Sequence, residues 1–230
     1  MRRGAHGALA LGMLLGMAST AHAQMQHGPG GALFANFVVA DAVGPLGSVV
    51  DQGYGMELGA ALPIAAGGHL RLRGDFGFSI YGLERIDYCG YGCRVSSTLT
   101  TTNSIFYGGV GPEIVLGSGA IRPYVHGSAG MSWFVTSSSM DDHDGYGPYL
   151  ETTNFSDTVF SWRVGGGLRV GIGNGPVFLD LGVTHHDNQL ATYLTRGDIV
   201  DNPDGTVTMY PNRSDADLLS FKMGVSIALR

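Results

Sequence analysis

Few residues in this chain have the types and spacing that chemistry requires. His126-Gly127-Ser128 sets a base and a hydroxyl two positions apart, which on a β-strand puts both on one face. A nearby carboxylate would complete the nucleophile, base and acid of a hydrolase. No acid falls on a neighbouring strand at that height, although Asp141 is available in the following connection. We therefore read His126 and Ser128 as hydrogen-bonding groups and expect no catalytic residues. His185-His186 reads as a strand-end pair, not a metal site. Asp141-Asp142-His143-Asp144-Gly145 has part of the composition of a calcium loop, but lacks its spacing and its terminal Glu. Asp201-Asn202-Pro203-Asp204-Gly205 is a turn signal. Cys89 and Cys93 are the chain's two cysteines and bracket Gly-Tyr-Gly. A small local disulfide is expected in an oxidising compartment, with two free thiols as the alternative. No cofactor motif appears, and none is expected.

The elements that must hold these residues show a period of two. Eight stretches alternate apolar and polar side chains, so each is a strand with two unlike faces. They run over roughly Ala32–Ala40, Tyr54–Leu62, Leu70–Gly82, Ser104–Leu116, Ile121–Val135, Val159–Val170, Val177–His186 and Leu219–Leu229. One phase carries Tyr54, Phe106, Trp133, Trp162 and many aliphatic residues. The opposite phase carries Arg71, Arg73, Arg122, Arg163, Arg169 and Lys222, with Glu57, Asp75, Glu113 and Asp180.

Connection lengths decide what the alternation means. Pro63–His69, Gly117–Ala120 and Gly171–Pro176 are tight and rich in glycine. Asp41–Gly53, Leu83–Asn103, Thr136–Thr158 and Asp187–Asp217 are long, polar and acidic. Strict alternation puts every long loop on one rim, as in a membrane barrel with its apolar face to lipid and its charges inside. The fold class expected is all-β: an eight-stranded antiparallel up-and-down transmembrane barrel, with short periplasmic turns and long extracellular loops. Tyr54, Phe106, Trp133 and Trp162 would join an aromatic belt, with the two tryptophans close together at the extracellular interface. The inward charges would pair across a closed lumen.

Targeting and composition agree with this. Arg2-Arg3, an apolar run from Ala8 to Ala18 and Ala21-His22-Ala23 predict a signal peptide over residues 1–23, cleaved after Ala23, ahead of a barrel domain over 24–230. Charged residues make up only 14% of the chain while glycine fills 38 positions. That balance suits curved strands better than a soluble enzyme surface. Acidic loops repel phosphates and exclude a nucleic-acid surface.

The mature chain resembles the small eight-stranded outer-membrane barrels, the class of the OmpA membrane domain, OmpX and OmpW. Gly108-Gly109-Val110-Gly111-Pro112-Glu113 and Arg122-Pro123-Tyr124-Val125 carry the resemblance, as does the strand pattern along the whole mature chain. It implies a location in the bacterial outer membrane, contact with lipid and lipopolysaccharide, insertion by the barrel-assembly machinery, and a monomer. Such chains usually close on an aromatic residue, whereas this one ends Ile227-Ala228-Leu229-Arg230. The role expected is structural or surface-interacting and not enzymatic. The alternative is a narrow OmpW-like channel. A remoter one is a lipid A-modifying hydrolase, because some eight-stranded deacylases carry a His-x-Ser pair.

Overall fold

The computed structural model describes residues 30–65, 67–90, 95–142, 148–204 and 206–229. The leader over 1–23, Cys93, His143, Asp144 and Gly145 lie outside them.

The long strands are β1 (Ala32–Ala42), β2 (Gln52–Pro63), β3 (Leu70–Gly90), β4 (Val95–Val115), β5 (Ile121–Asp142), β6 (Pro148–Gly171) and β7 (Val177–Asp187). Four short strands follow: β8 (Leu190–Tyr193), β9 (Ile199–Asp201), β10 (Val207–Met209) and β11 (Asn212–Asp215). The last, β12, spans Leu218–Ala228. β1 to β7 and β12 form one closed eight-stranded antiparallel barrel in which each strand pairs with its neighbour in sequence, apart from the long step from β7 to β12. Closure brings Ala32 opposite Ala228 and Asp41 opposite Leu219. A closed ring leaves no unpaired backbone edge within a membrane.

The alternation sorts side chains as the phase predicts. Met56, Leu58, Phe76, Val110, Val125, Phe160, Val164 and Met223 all point outward and are exposed. Their neighbours Glu57, Arg73, Asp75, Glu113, Arg163 and Lys222 point inward and are buried. The short turns gather at one rim. Gly68, with φ +67°, sits in the left-handed region that residues with a Cβ rarely enter, and lets the β2–β3 turn close.

The long connections are more ordered than their composition suggests. Strands β3 to β6 extend well past the expected ends. Arg85 pairs with Thr100, Thr100 with Ser139 and Ser139 with Glu151, so a four-stranded ribbon stands beyond the barrel. Three register shifts, between Ile80/Gly82, Thr136/Ser137 and Met140/Asp141, bend it.

The fourth long connection folds into two small hairpins, β8 with β11 and β9 with β10. The β8–β11 hairpin drops into the long-loop mouth. Ala191, Tyr193, Leu194 and Ala216 are fully buried there, and Tyr193 meets Phe134 at 5.9 Å between ring centroids. Val38, Ala40, Leu46, Val50, Tyr81, Ile105 and Leu218 complete an apolar plug. The core of this protein thus lies inside the upper barrel. Charge pairs were expected to close the lumen, and the plug adds an apolar layer above them.

The aromatic residues also need a correction. Trp133 faces Phe106 across β4–β5, but its partner on β6 is Thr158. Trp162 lies opposite Ala129 instead, four residues lower, or about 13 Å along the strand. Its ring meets His185 edge-on at 6.2 Å. Tyr54 faces outward and donates to Gln52 at 2.8 Å.

Candidate functional site

Inward positions on six strands bring the predicted charges together below the plug. Glu113 on β4 is the hub. Its carboxylate receives Arg169 Nη1 and Nη2 at 2.8 Å each, Arg73 Nη1 at 3.1 Å and Arg71 Nη1 at 3.5 Å. Glu57 on β2 binds Arg73 Nη2 at 2.8 Å and Lys222 Nζ at 2.6 Å, with Tyr107 donating at 3.4 Å. Asp75 accepts from Arg73 Nε at 3.2 Å. Arg163 Nη2 stands 2.7 Å from Asp75 Oδ1, an ion pair by distance but off the hydrogen-bond axis. Asp180 takes Arg169 Nε at 3.3 Å and the Tyr124 hydroxyl at 2.7 Å.

The physical reason for such density is desolvation. A buried charge is costly unless it is paired and hydrogen-bonded, and fork-shaped guanidinium groups pair two carboxylates at once. Arg73 does so with Glu57 and Glu113, and its guanidinium also lies 4.0 Å over the Phe34 ring. Arg169 sits 4.2 Å over Tyr124. Room for these groups comes from inward glycines. A Cβ at Gly77 would stand 2.5 Å from Tyr107 Cζ, so only glycine lets that ring cross the lumen.

Arg122 is not in the network. It shares the inward phase but sits at the short-turn mouth, where Nε donates to Gly119 O at 2.9 Å and Nη2 to Ser118 O at 3.3 Å. Its guanidinium covers Phe178 at 4.3 Å. The phase fixed its face and left its height open. Tyr107, Tyr124 and Phe34 are members that sequence reading missed. Their inward phase, shared with Glu113, was the available signal.

The His126/Ser128 pair does not form a catalytic arrangement. Ser128 Oγ accepts from Arg163 Nε at 3.1 Å, while His126 Nε2 bonds Thr184 Oγ1 at 3.2 Å. Among the described residues no hydrogen bond joins His126 to Ser128. Asp141 lies thirteen residues further along β5, roughly 40 Å away along the strand. No group of three or more His, Cys, Asp or Glu that could hold a metal ion converges among the described residues.

Many loop acids are occupied by donors of their own or a neighbouring loop. Asp198 accepts from Thr195 N at 2.7 Å and Asn212 Nδ2 at 2.6 Å, and Asp157 accepts from Thr192 N at 2.7 Å. Asp204 accepts from the Thr206 hydroxyl and backbone N–H, which hold its carboxyl below the ordinary value. Tyr88 donates to Asp201 at 3.0 Å, which raises its phenol. Cys89 lies at the far end of the β3 extension, opposite Ser96.

Several solved structures align with the chain. Neisserial surface protein A aligns at 16% identity over 89% of this chain and 100% of its own, with a TM-score of 0.48. Ail, the attachment invasion locus protein of Yersinia pestis, aligns at 10% identity over 86% and 96%, with a TM-score of 0.41. A major outer membrane protein from Thermus thermophilus aligns at 13% identity over 86% and 99%, with a TM-score of 0.39. No protein-family model and no curated protein matches the chain. These likenesses carry no activity across.

Proposed function

We propose that the protein is an outer-membrane barrel that works through its extracellular face and passes no solute through its lumen. The filled interior carries this reading. Arg73, Glu113, Arg169 and their partners cross-link the lower lumen, and Tyr81, Ile105, Phe134 and Tyr193 pack the upper one. An eight-stranded barrel is only just wide enough for side chains, and here they meet. The outward apolar belt suits hydrocarbon, and the sorting of turns and loops suits periplasmic and extracellular rims. What remains for contact with the outside is the β3–β6 ribbon and the folded fourth loop. Their surface is acidic, suited to cationic partners or to divalent ions bridging lipopolysaccharide, and unsuited to nucleic acid.

Single-channel recording of the refolded protein in a planar bilayer tests this. A flat baseline is expected. A steady open state would sink the closed-barrel reading in favour of a narrow channel. The same reading takes residues 1–23 as a leader, Cys89 and Cys93 as a loop disulfide, and the barrel as a monomer inserted by the assembly machinery. Mass measurement of protein from outer membranes, alkylated with and without reductant, should give a chain starting at Gln24. No cysteine should be alkylated before reduction. A start at Met1, or two alkylated cysteines, would remove those assignments.

A further inference from the structure

We propose that the lumen holds one small anion of halide size beside Arg163, on the wall formed by β5, β6, β7 and β12. Charge comes first. Among the described residues, the buried cations are Arg71, Arg73, Arg163, Arg169 and Lys222, and the buried carboxylates are Glu57, Asp75, Glu113 and Asp180. The interior therefore carries one more of these cations than carboxylates. Surplus charge inside a poorly hydrated space requires a counter-charge.

Hydrogen bonding locates the surplus. Arg73, Arg169 and Lys222 each donate to a carboxylate at 2.8 Å or less, and Arg71 also donates to Glu113. Arg163 reaches one carboxylate, with Nη2 2.7 Å from an Asp75 that Arg73 also engages, and its Nη1 makes no hydrogen bond among the described residues.

Apart from Asp75, the polar groups that strand register sets near it can each donate a hydrogen bond. Strand register sets Ser128, Arg163 and His186 in one row, and His126, Gly165, Thr184 and Ser220 in the next. His186 Nδ1 and Nε2, His126 Nδ1, Ser161 Oγ and Ser220 Oγ are all buried without a partner among the described residues. Relative exposure is 1% at His186, 2% at Arg163, 0% at Ser161 and 1% at Ser220, so bulk solvent does not serve them. Buried polar atoms almost always have partners. A guanidinium with imidazole N–H and hydroxyl donors around it selects an anion over a cation. Size is limited by Tyr107, whose ring lies 5.1 Å under Arg163 and meets His186 edge-on at 4.8 Å. The ring already occupies one face of Arg163, so the remaining space favours a halide over a bulkier tetrahedral oxyanion.

The test uses folded, detergent-solubilised protein with chloride or bromide as the probe, and gluconate to hold ionic strength constant. Crystals grown in bromide should show an anomalous peak within hydrogen-bond reach of Arg163. The melting midpoint of the wild-type protein should climb with the logarithm of chloride concentration. Arg163→Met should abolish the climb. Asp75→Asn leaves a second surplus cation and should move half-saturation to chloride concentrations on the order of tenfold lower. Should either variant fail to fold, the bromide peak and the wild-type titration still decide. Water alone at that position, or a midpoint indifferent to chloride, overturns the proposal.

Discussion

At the scale of residues, Glu113 and Arg122 separate what phase can and cannot reveal. Both alternate inward, and sequence alone gives them equal standing. Glu113 receives four guanidinium contacts, whereas Arg122 rests on two turn carbonyls at the solvated mouth. Removing one partner of a buried ion pair strands the other, at a typical cost of about 3–5 kcal/mol. Glu113→Ala should therefore lower the melting temperature in detergent far more than Arg122→Ala, or than Glu151→Ala on the exposed ribbon. Thermal melts of the three variants side by side check this. Equal shifts would mean that the lower lumen is hydrated and its charges screened.

At the scale of elements, the barrel strands were legible because one face meets lipid and the other the lumen. Beyond the membrane that contrast vanishes. Thr100-Thr101-Thr102 and Ser137-Ser138-Ser139 are polar on both faces, so they read as loop although they form ladders. The plug hairpin was hidden for another reason. Ala191, Tyr193, Leu194 and Ala216 are too few and too scattered to show a period, and only the barrel mouth gives them a place to bury.

The neck of that hairpin has a pH dependence of its own. Desolvation, aided by Asp187 and Asp215, raises the Asp217 carboxyl above its ordinary value, against a 3.3 Å hydrogen bond from Asn188 N. A raised carboxyl pKa favours the folded neck while Asp217 is protonated. That contribution is complete below the unfolded value near 4 and is lost as pH rises through the folded one. Asp217→Asn should thus slow amide exchange in residues 188–217 at pH 7 and change little below about pH 4. Faster exchange at pH 7 would show that the hydrogen bond outweighs the desolvation.

For the whole molecule, register makes a claim about depth in the bilayer. Trp162 sits about 13 Å further down the strand direction than Trp133. Strand tilt shortens that difference without cancelling it. In single-tryptophan variants, brominated lipids should quench Trp133 best from headgroup depth, and Trp162 best when the bromines are deeper in the acyl chain. Identical depth profiles would mean that the barrel lies in the membrane at another level or tilt.

The pairing of β1 with β12 also bears on how the chain reaches this state. Lys222 and Glu57 are 165 residues apart, yet bond at 2.6 Å. The hub ties together β3, β4 and β6, and its neighbours reach β2, β7 and β12. Contacts so distant in sequence form late, because loop-closure entropy must be overcome before any of them contributes. A partly assembled sheet keeps two open edges and an unneutralised row of arginines. β12, the last of the barrel strands in chain order, is also the one that completes the ring. Folding should therefore be slow and end in a single cooperative zipping step, in which edge pairing and charge neutralisation occur together. A chain stalled before Lys222 would keep Glu57 with only part of its partners, and such a species has little to hold it in the membrane.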